Sequence, residues 1–121
     1  MRQNVAKIEN QTDRYIEGFL AGQAVAYCEM VRRGVRLAGQ LDVPADECAR
    51  LLMVVQREGC LGHSVQRDEG RAAVWIYRDE RIKRLIDSFE TAAPCPSHSA
   101  IWGMGKLFGY GDQDILDYLP S

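Results

Sequence analysis

Apolar residues recur with helical spacing along the segment from Asp13 to Ala38, and this segment dominates the first third of the chain. Ile16, Leu20 and Tyr27 fall on one stripe of an α-helix, which is typical of a helix that packs one side against a core. Capping residues precede the segment and three arginines lie near its end, as the helix dipole favours. The pattern predicts one long helix.

Small residues repeat every four positions on this helix, at Gly18, Gly22 and Ala26. Each glycine lowers helix propensity by up to about 1 kcal/mol relative to alanine, so close packing of another backbone is the expected compensation. A helix of the same chain is the preferred packing partner. The alternative is that these three residues form the self-association surface of a homodimer.

A second helix is predicted to begin at Pro44, after a short connection through Gly39 and Asp42. Proline suits the first turn of a helix, and two acidic residues follow it there. Apolar residues with i, i+3, i+4, i+7 spacing continue to Val55, and Gly59 is a suitable stop. The two helices together predict a long helical hairpin.

The middle of the chain predicts a small β-hairpin. Residues 64–67 and 72–77 flank the turn signal Asp68-Glu69-Gly70, and the second run has the β-branched and aromatic content of a strand. One helix over residues 71–89 is the competing interpretation, because residues 79–89 have helical apolar spacing.

Prolines and glycines divide the last third of the chain. Two prolines within residues 91–97 predict a loop. A short helix from Ser99 to Phe108 and a last helix from Asp112 are expected to follow. Gly109 or Gly111 is expected to end the first of these helices in a left-handed conformation.

Length and composition fit one compact domain. A chain of 121 residues can bury a core without disulfides or metal, and no repeat marks a second domain, so residues 1–121 are predicted to form a single domain. The predicted fold class is α+β and predominantly α: a long helical hairpin, a small β-hairpin, a third helix and short C-terminal helices. The hydrophobic fraction of 46% and the charged fraction of 26% are typical of globular proteins.

Charge and the N-terminal sequence predict a cytoplasmic protein. The formal net charge of −2 gives no general attraction to nucleic acid or anionic membranes. Residues 1–10 lack the apolar core of a signal peptide, and no segment reaches the roughly 20 apolar residues of a membrane span. The four cysteines are therefore expected to be reduced, with Cys28 and Cys48 acting as small apolar residues.

Both histidines follow a cysteine by three positions, in Cys60-Leu-Gly-His63 and Cys95-Pro-Ser-His98. Structural zinc is held by four tetrahedral sulfur or nitrogen ligands, so Cys60, His63, Cys95 and His98 predict a Cys2His2 metal site. Against this prediction, Cys-x-x-His pairs are less diagnostic than Cys-x-x-Cys pairs, and a domain of this size folds without a metal. The expectation is therefore no cofactor, with zinc as the alternative.

The apolar residues of segment 38–52 resemble a helix-turn-helix signature in their placement. The matching interior positions are Ala38, Leu41, Val43, Cys48 and Leu51. The resemblance implies sequence-specific DNA binding by the second helix. The segment departs from the motif at Asp42, where the turn glycine belongs, and Asp46 and Glu47 would repel phosphates at the start of the recognition helix. A DNA-binding regulator is therefore an alternative function.

No catalytic or nucleotide-binding motif is complete. The glycine-rich run from Gly103 to Gly111 lacks the preceding strand and the hydroxyl residue after Gly-Lys that a phosphate loop needs. Gly103 and Gly105 are instead expected to permit tight helix packing. Cys95 and His98 are too close in sequence for a productive nucleophile and base. A non-enzymatic protein is predicted.

Aromatic and basic residues concentrate in the second half of the chain, and these residue types often anchor protein interfaces. The predicted interaction residues are Trp75, Tyr77, Arg78, Arg81, Trp102 and Tyr110. The expected function is that of a small intracellular interaction or regulatory protein, which binds another protein rather than nucleic acid or membrane. Phage- or plasmid-borne accessory proteins that block a host defence complex fit this size and lack of catalytic motifs.

Overall fold

The computed structural model describes residues 2–92 and 97–119, and for residues 2–14, 16 and 92 it describes the backbone. Within these ranges the chain forms five α-helices and three β-strands. Their order is α1 (Arg2–Arg32), β1 (Ala38–Pro44), α2 (Cys48–Arg57), β2 (Leu61–Asp68), β3 (Arg71–Tyr77), α3 (Glu80–Ala92), α4 (His98–Leu107) and α5 (Asp112–Tyr118), with a 3-10 turn at Ala45–Glu47. The predicted α+β, helix-rich fold class is confirmed.

The three strands form one antiparallel sheet in the order β1-β3-β2. β2 and β3 form the predicted hairpin, in which Leu61 lies opposite Tyr77 and Val65 lies opposite Ala73. β1 pairs with the other edge of β3, with Ala38 opposite Tyr77. The last strand in sequence is therefore the central strand of the sheet.

Strand β3 is covered on both faces, and its residues from Ala72 to Tyr77 are all buried. Because side chains alternate along a strand, Val74 and Ile76 face one helical layer and Trp75 and Tyr77 face the other. A continuous apolar run is what a strand buried on both faces requires. The fold is thus a sheet between two helical layers, α1 with α2 and α3 with α4 and α5.

Each layer encloses its own apolar cluster. The first cluster joins α1, α2 and the sheet, and it includes Cys28 with Cys48 packed against it, as predicted for these small apolar residues. Burial of Cys28, with the nearby Cys60 thiol, raises the pKa of Cys28 to about 12. The second cluster places Ile86 of α3 and Leu107 of α4 against the opposite face of the sheet.

The predicted connection through Gly39 and Asp42 is instead strand β1. Leu41 and Val43 are buried and Asp42 between them is exposed, which is strand spacing. A Cβ added to Gly39 would lie 3.0 Å from the ring of Tyr27, so this glycine lets α1 pack directly on the strand. Helices α1 and α2 contact each other on the sheet, but the predicted hairpin architecture is not confirmed because β1 separates them.

Strand β1 also overturns the helix-turn-helix interpretation. That motif needs two helices joined by a turn within residues 38–52, whereas residues 38–44 are extended and paired with β3. The interior spacing of Leu41 and Val43, which matched the motif, arises from strand alternation over the core. The segment therefore contributes a sheet edge and the start of α2.

Helix α1, predicted over residues 13–38, instead begins at Arg2 and ends at Arg32, whereas the later helix ends follow the predicted signals with small shifts. Gly59 has a φ of 82° after α2 and Gly109 has a φ of 83° after α4, so both adopt the left-handed conformation expected of a helix stop. Ser97, rather than Ser99, caps α4, since its side chain accepts a hydrogen bond from the Ala100 amide. None of the helices in the described part of the chain meets the length and hydropathy of a transmembrane span.

Candidate functional site

Helix α1 carries an exposed apolar surface on the side opposite the core. We call this surface the α1 outer face, and it consists of Tyr15, Gly18, Phe19, Gly22, Val25, Ala26 and Met30. Tyr15 is 75% exposed to solvent and Phe19 is 57% exposed. Contiguous exposed apolar residues of this kind mark interaction sites.

Charged residues lie only at the margins of the α1 outer face. Glu17 pairs with Arg50 of α2, and Glu29 pairs with Arg33 at 3.0 Å near the end of α1. No residue from Gly18 to Cys28 is charged. A surface helix normally presents charged side chains to solvent, and a helix that is apolar on all sides is normally buried. The α1 outer face therefore has the composition of a covered surface.

Within the part of the chain that the structure describes, no other helix packs against the small residues of α1. A Cβ added to Gly18 or Gly22 would meet no atom within 4 Å, and Ala26 is exposed. The preferred expectation, a partner helix within the same chain, is therefore wrong for the part of the chain that the structure describes. The alternative, self-association through these residues, stays a prediction.

The predicted interaction residues on β3 lie in the core. Trp75 and Tyr77 are 0% and 2% exposed, because β3 is the central strand and both of its faces are covered. Arg78 and Arg81 follow directly and are exposed. Arg78 donates to the Arg32 carbonyl at 3.2 Å, and the Arg81 hydrogen bonds lower the pKa of Asp79 to about 2. Only the arginines of this group are available at the surface.

The remaining predicted interaction residues belong to the layer of α3, α4 and α5. Trp102 is partly buried, and the Lys106 ammonium lies 5.3 Å from the centre of its ring. Tyr110 is exposed, and its ring meets Phe108 edge-on at a centroid distance of 6.5 Å. These two aromatic residues therefore do not extend the α1 outer face.

The sheet separates two of the predicted metal ligands, Cys60 and His63. Cys60 belongs to the first apolar cluster, where its thiol donates to the Cys28 carbonyl at 3.6 Å. His63 lies on the opposite face, with Nδ1 at 2.9 Å from the Tyr77 hydroxyl. His98 is exposed at the start of α4, and Cys95 lies outside the described residues. Over residues 2–92 and 97–119, no three His, Cys, Asp or Glu side chains group as metal ligands; the zinc site stays a prediction.

The surroundings of His63 favour its neutral form. Burial lowers its pKa, and Asp87, whose Oδ1 is 3.8 Å from Nε2, only partly opposes this effect. Burial also raises the pKa of Tyr77 to about 12, so its hydroxyl keeps its proton and can donate to His63 Nδ1. The Nε2 atom is buried without a hydrogen-bond partner among the described atoms. The arrangement stabilises the neutral imidazole.

A cavity of about 670 Å³ lies within the layer of α3, α4 and α5. Its apolar wall consists of Phe89, Ile101, Met104, Phe108 and Ile115. Arg67 of β2 and Glu90 of α3 line one part of it, and Asp114 of α5 lines another. Cavities of roughly 300 to 1,000 Å³ with few polar groups are typical of small-molecule sites.

Arg67 and Glu90 form a fixed pair at the wall of this cavity. The two guanidinium nitrogens of Arg67 donate to the two carboxylate oxygens at 2.5 and 2.6 Å, and Trp75 Nε1 donates to Glu90 Oε1 at 2.9 Å. Burial opposes ionisation of Glu90, but the hydrogen bonds from Arg67 and Trp75 outweigh it and lower the pKa. Both side chains therefore stay charged and paired at neutral pH.

Comparison of the chain with protein-family models, with curated proteins and with solved structures finds no match. The sequence and the geometry above are therefore the basis for inference about function.

The residues of the cavity follow no motif in the sequence. Arg67 and Glu90 lie 23 positions apart, and only the pairing of β2 with β3 and the packing of α3 bring them together. In the sequence, Asp114 is indistinguishable from the acidic residues that are common in the first turn of a helix. The α1 outer face had a signal, because an eleven-residue segment from Gly18 to Cys28 without charge is unusual on an exposed helix.

Proposed function

We propose that the protein is a non-enzymatic interaction protein that binds protein surfaces through the α1 outer face. The supporting observation is that this exposed side of α1 carries apolar and small residues with no charge from Gly18 to Cys28. Helices with this pattern bind by packing against another helix or an apolar groove. The inner side of α1 already supplies its contacts to the core, so the outer residues are free to bind.

The sequence of the α1 outer face favours a second copy of the chain as its occupant. In an antiparallel pair of α1 helices that cross at Gly22, Phe19 of one copy lies opposite Val25 of the other, because each is three positions from Gly22. Tyr15 lies opposite Glu29 because each is seven positions from Gly22, and its hydroxyl can donate to that carboxylate. Glycine at the crossing point permits close approach, and the surface is complementary to itself, as a twofold dimer requires.

A dimer of this kind supports a regulatory role. Another protein that presents an apolar helix would compete for the same surface, since no residue from Gly18 to Cys28 carries a charge that would select against it. Exchange of the second copy for such a protein would couple partner binding to dissociation of the dimer.

Sedimentation velocity over about 1 to 100 µM protein tests the proposal, a range that suits a small helical interface. We expect a dimer for the unaltered chain and a monomer for Phe19→Glu, because the added carboxylate would be buried without a partner. The matched control is Met53→Glu, which places the same charge at an exposed apolar residue of α2, and this variant should remain a dimer.

Two outcomes would contradict the proposal. The unaltered chain would sediment as a monomer throughout the concentration range, or Phe19→Glu and Met53→Glu would change the association equally. In either case the α1 outer face would not be the self-association surface.

A further inference from the structure

The cavity of the α3, α4 and α5 layer has closely packed walls. A Cβ added to Gly103 would lie 2.6 Å from Phe89 Cζ, and one added to Gly105 would lie 2.6 Å from Ile115 Cγ1. These two glycines let α4 approach α3 and α5 more closely than any larger residue would permit. On the sheet side, the ring of Phe108 stacks on Trp75 at 5.7 Å with an interplanar angle of 7°. The cavity therefore remains beside tightly packed surfaces rather than in a loosely packed region.

The charged residues of the lining give the cavity a net negative charge. Arg67 and Glu90 neutralise each other through their bidentate hydrogen bonds. Asp114 is the other charged residue of the lining, and it takes part in none of the ion pairs found within residues 2–92 and 97–119. An organic anion would meet this carboxylate with no unpaired cation among the described residues of the lining, whereas an organic cation would gain a partner.

The aromatic residues of the lining favour the same ligand class. Tyr110 and Tyr118 line the cavity together with Asp114, and the electron-rich faces of tyrosine rings attract ammonium groups. The rest of the wall, including Phe89, Ile101 and Met104, suits an apolar or aromatic body.

We propose that this cavity is a binding site for a small organic cation, with an aromatic body and an alkylammonium group. The body packs between Phe89, Ile101 and Met104, and the ammonium group pairs with Asp114 beside Tyr110 and Tyr118. The Arg67 and Glu90 pair lines another part of the wall and adds no net charge. This site is separate from the α1 outer face, and its existence does not depend on the proposed dimer.

A pair of probes of opposite charge tests the site: 2-(2-naphthyl)ethylamine and 2-naphthylacetate. Each would be titrated into the ¹⁵N-labelled chain of 121 residues while amide chemical shifts are recorded. We expect the amine to bind with a dissociation constant of about 1 mM or tighter, as its size allows. The shifts should move at Met104 and Ile115, and the acetate should bind at least about five-fold more weakly.

Asp114→Asn isolates the charge of the cavity, because this residue is exposed and its replacement leaves the apolar core intact. The variant should lose the preference for the amine, so that the two probes bind with affinities within about two-fold of each other. The matched control is Asp117→Asn, which neutralises a carboxylate of the same helix that does not line the cavity, and it should retain the preference.

Three results would overturn the site as proposed. The amine would fail to bind up to about 10 mM, a limit well above the expected affinity. Alternatively, its shift changes would map to α1 or α2 instead of α4 and α5. Finally, Asp114→Asn would leave the preference for the amine unchanged, or Asp117→Asn would remove it.

Discussion

Replacing Gly105 with alanine should destabilise the protein, and the same replacement at Gly22 should stabilise it. Both glycines lie inside helices, so alanine improves helix propensity at each by up to about 1 kcal/mol. At Gly22 the new methyl group meets no atom within 4 Å, and the full gain remains. The two substitutions therefore share a propensity effect and differ in packing.

The packing cost at Gly105 follows from its contact with Ile115. The new Cβ would lie 2.6 Å from Ile115 Cγ1 and 2.8 Å from Cδ1, well inside the roughly 3.5 to 4.0 Å of an ordinary carbon contact. Ile115 is 3% exposed and cannot rotate into solvent. Overpacking of this kind costs about 1 to 3 kcal/mol, so we expect Gly105→Ala to be less stable than Gly22→Ala by about that amount.

Urea unfolding followed by far-UV circular dichroism measures this difference. Both substitutions should be made in the Phe19→Glu background, so that association through the α1 outer face does not contribute to the free energy of unfolding. Gly103→Ala is a useful companion, because its Cβ would lie 2.6 Å from Phe89 Cζ and the same sign is expected. If Gly105→Ala stabilised the chain as much as Gly22→Ala does, the close packing of α4 on α5 would be refuted.

Three further predictions concern the titratable residues. Burial lowers the folded-state pKa of His63 below 6.5, so the contribution of His63 to stability is complete above about pH 6.5 and is lost as pH falls through the folded pKa. His63→Gln should therefore flatten the pH dependence of the unfolding free energy below about pH 6.5. An unchanged slope would contradict this prediction. Glu90 also has a lowered pKa, so its contribution is present above about pH 4.5 and is lost below it. Glu90→Gln should lower the free energy of unfolding, measured in urea at pH 7, by about 1 to 3 kcal/mol, whereas Asp117→Asn should lower it by under about 0.5 kcal/mol. Equal losses would show that the Arg67 and Glu90 pair does not stabilise the fold. Elemental mass spectrometry of the purified chain should give far less than one zinc per chain, because Cys60 and His63 lie on opposite faces of the sheet. A content of about one zinc per chain that is lost in the double variant Cys95→Ser, His98→Ala would establish the Cys2His2 site instead.

Local patterns in the sequence predicted the elements that depend on local physics. The β-hairpin around Gly70, the helix stops at Gly59 and Gly109, and the close packing at Gly103 and Gly105 follow from backbone conformation and side-chain size. Strand β1 was missed because its seven residues contain a glycine, an aspartate and a proline, which weaken a strand signal. Its pairing with β3, a distant segment, is what makes it a strand.

The position of β3 in the sheet decides which predicted site residues reach the surface. From sequence, Trp75 and Tyr77 are equally suited to an interface or to a core, since both environments favour large aromatic residues. Only the strand order β1-β3-β2 places them at the centre, under α3 and α4. The same sheet separates Cys60 from His63. Their three-residue spacing does not predict this separation, because the faces of the two side chains are known only once the strand has been located.

Neither of the two proposed sites is required for folding of the single chain. Both faces of β3 are already covered, so neither the α1 outer face nor the cavity beside α5 is needed to complete the core. Exposed apolar residues such as Tyr15 and Phe19 contribute little to the stability of a single copy, because they are not removed from water when it folds. The apolar walls of the cavity likewise lack protein neighbours. In the absence of a ligand they therefore gain less stabilisation from van der Waals contacts. Because folding of a single chain does not require these features, we propose that both serve binding. The α1 outer face suits another protein chain, and the concave, negatively charged cavity suits a small cation.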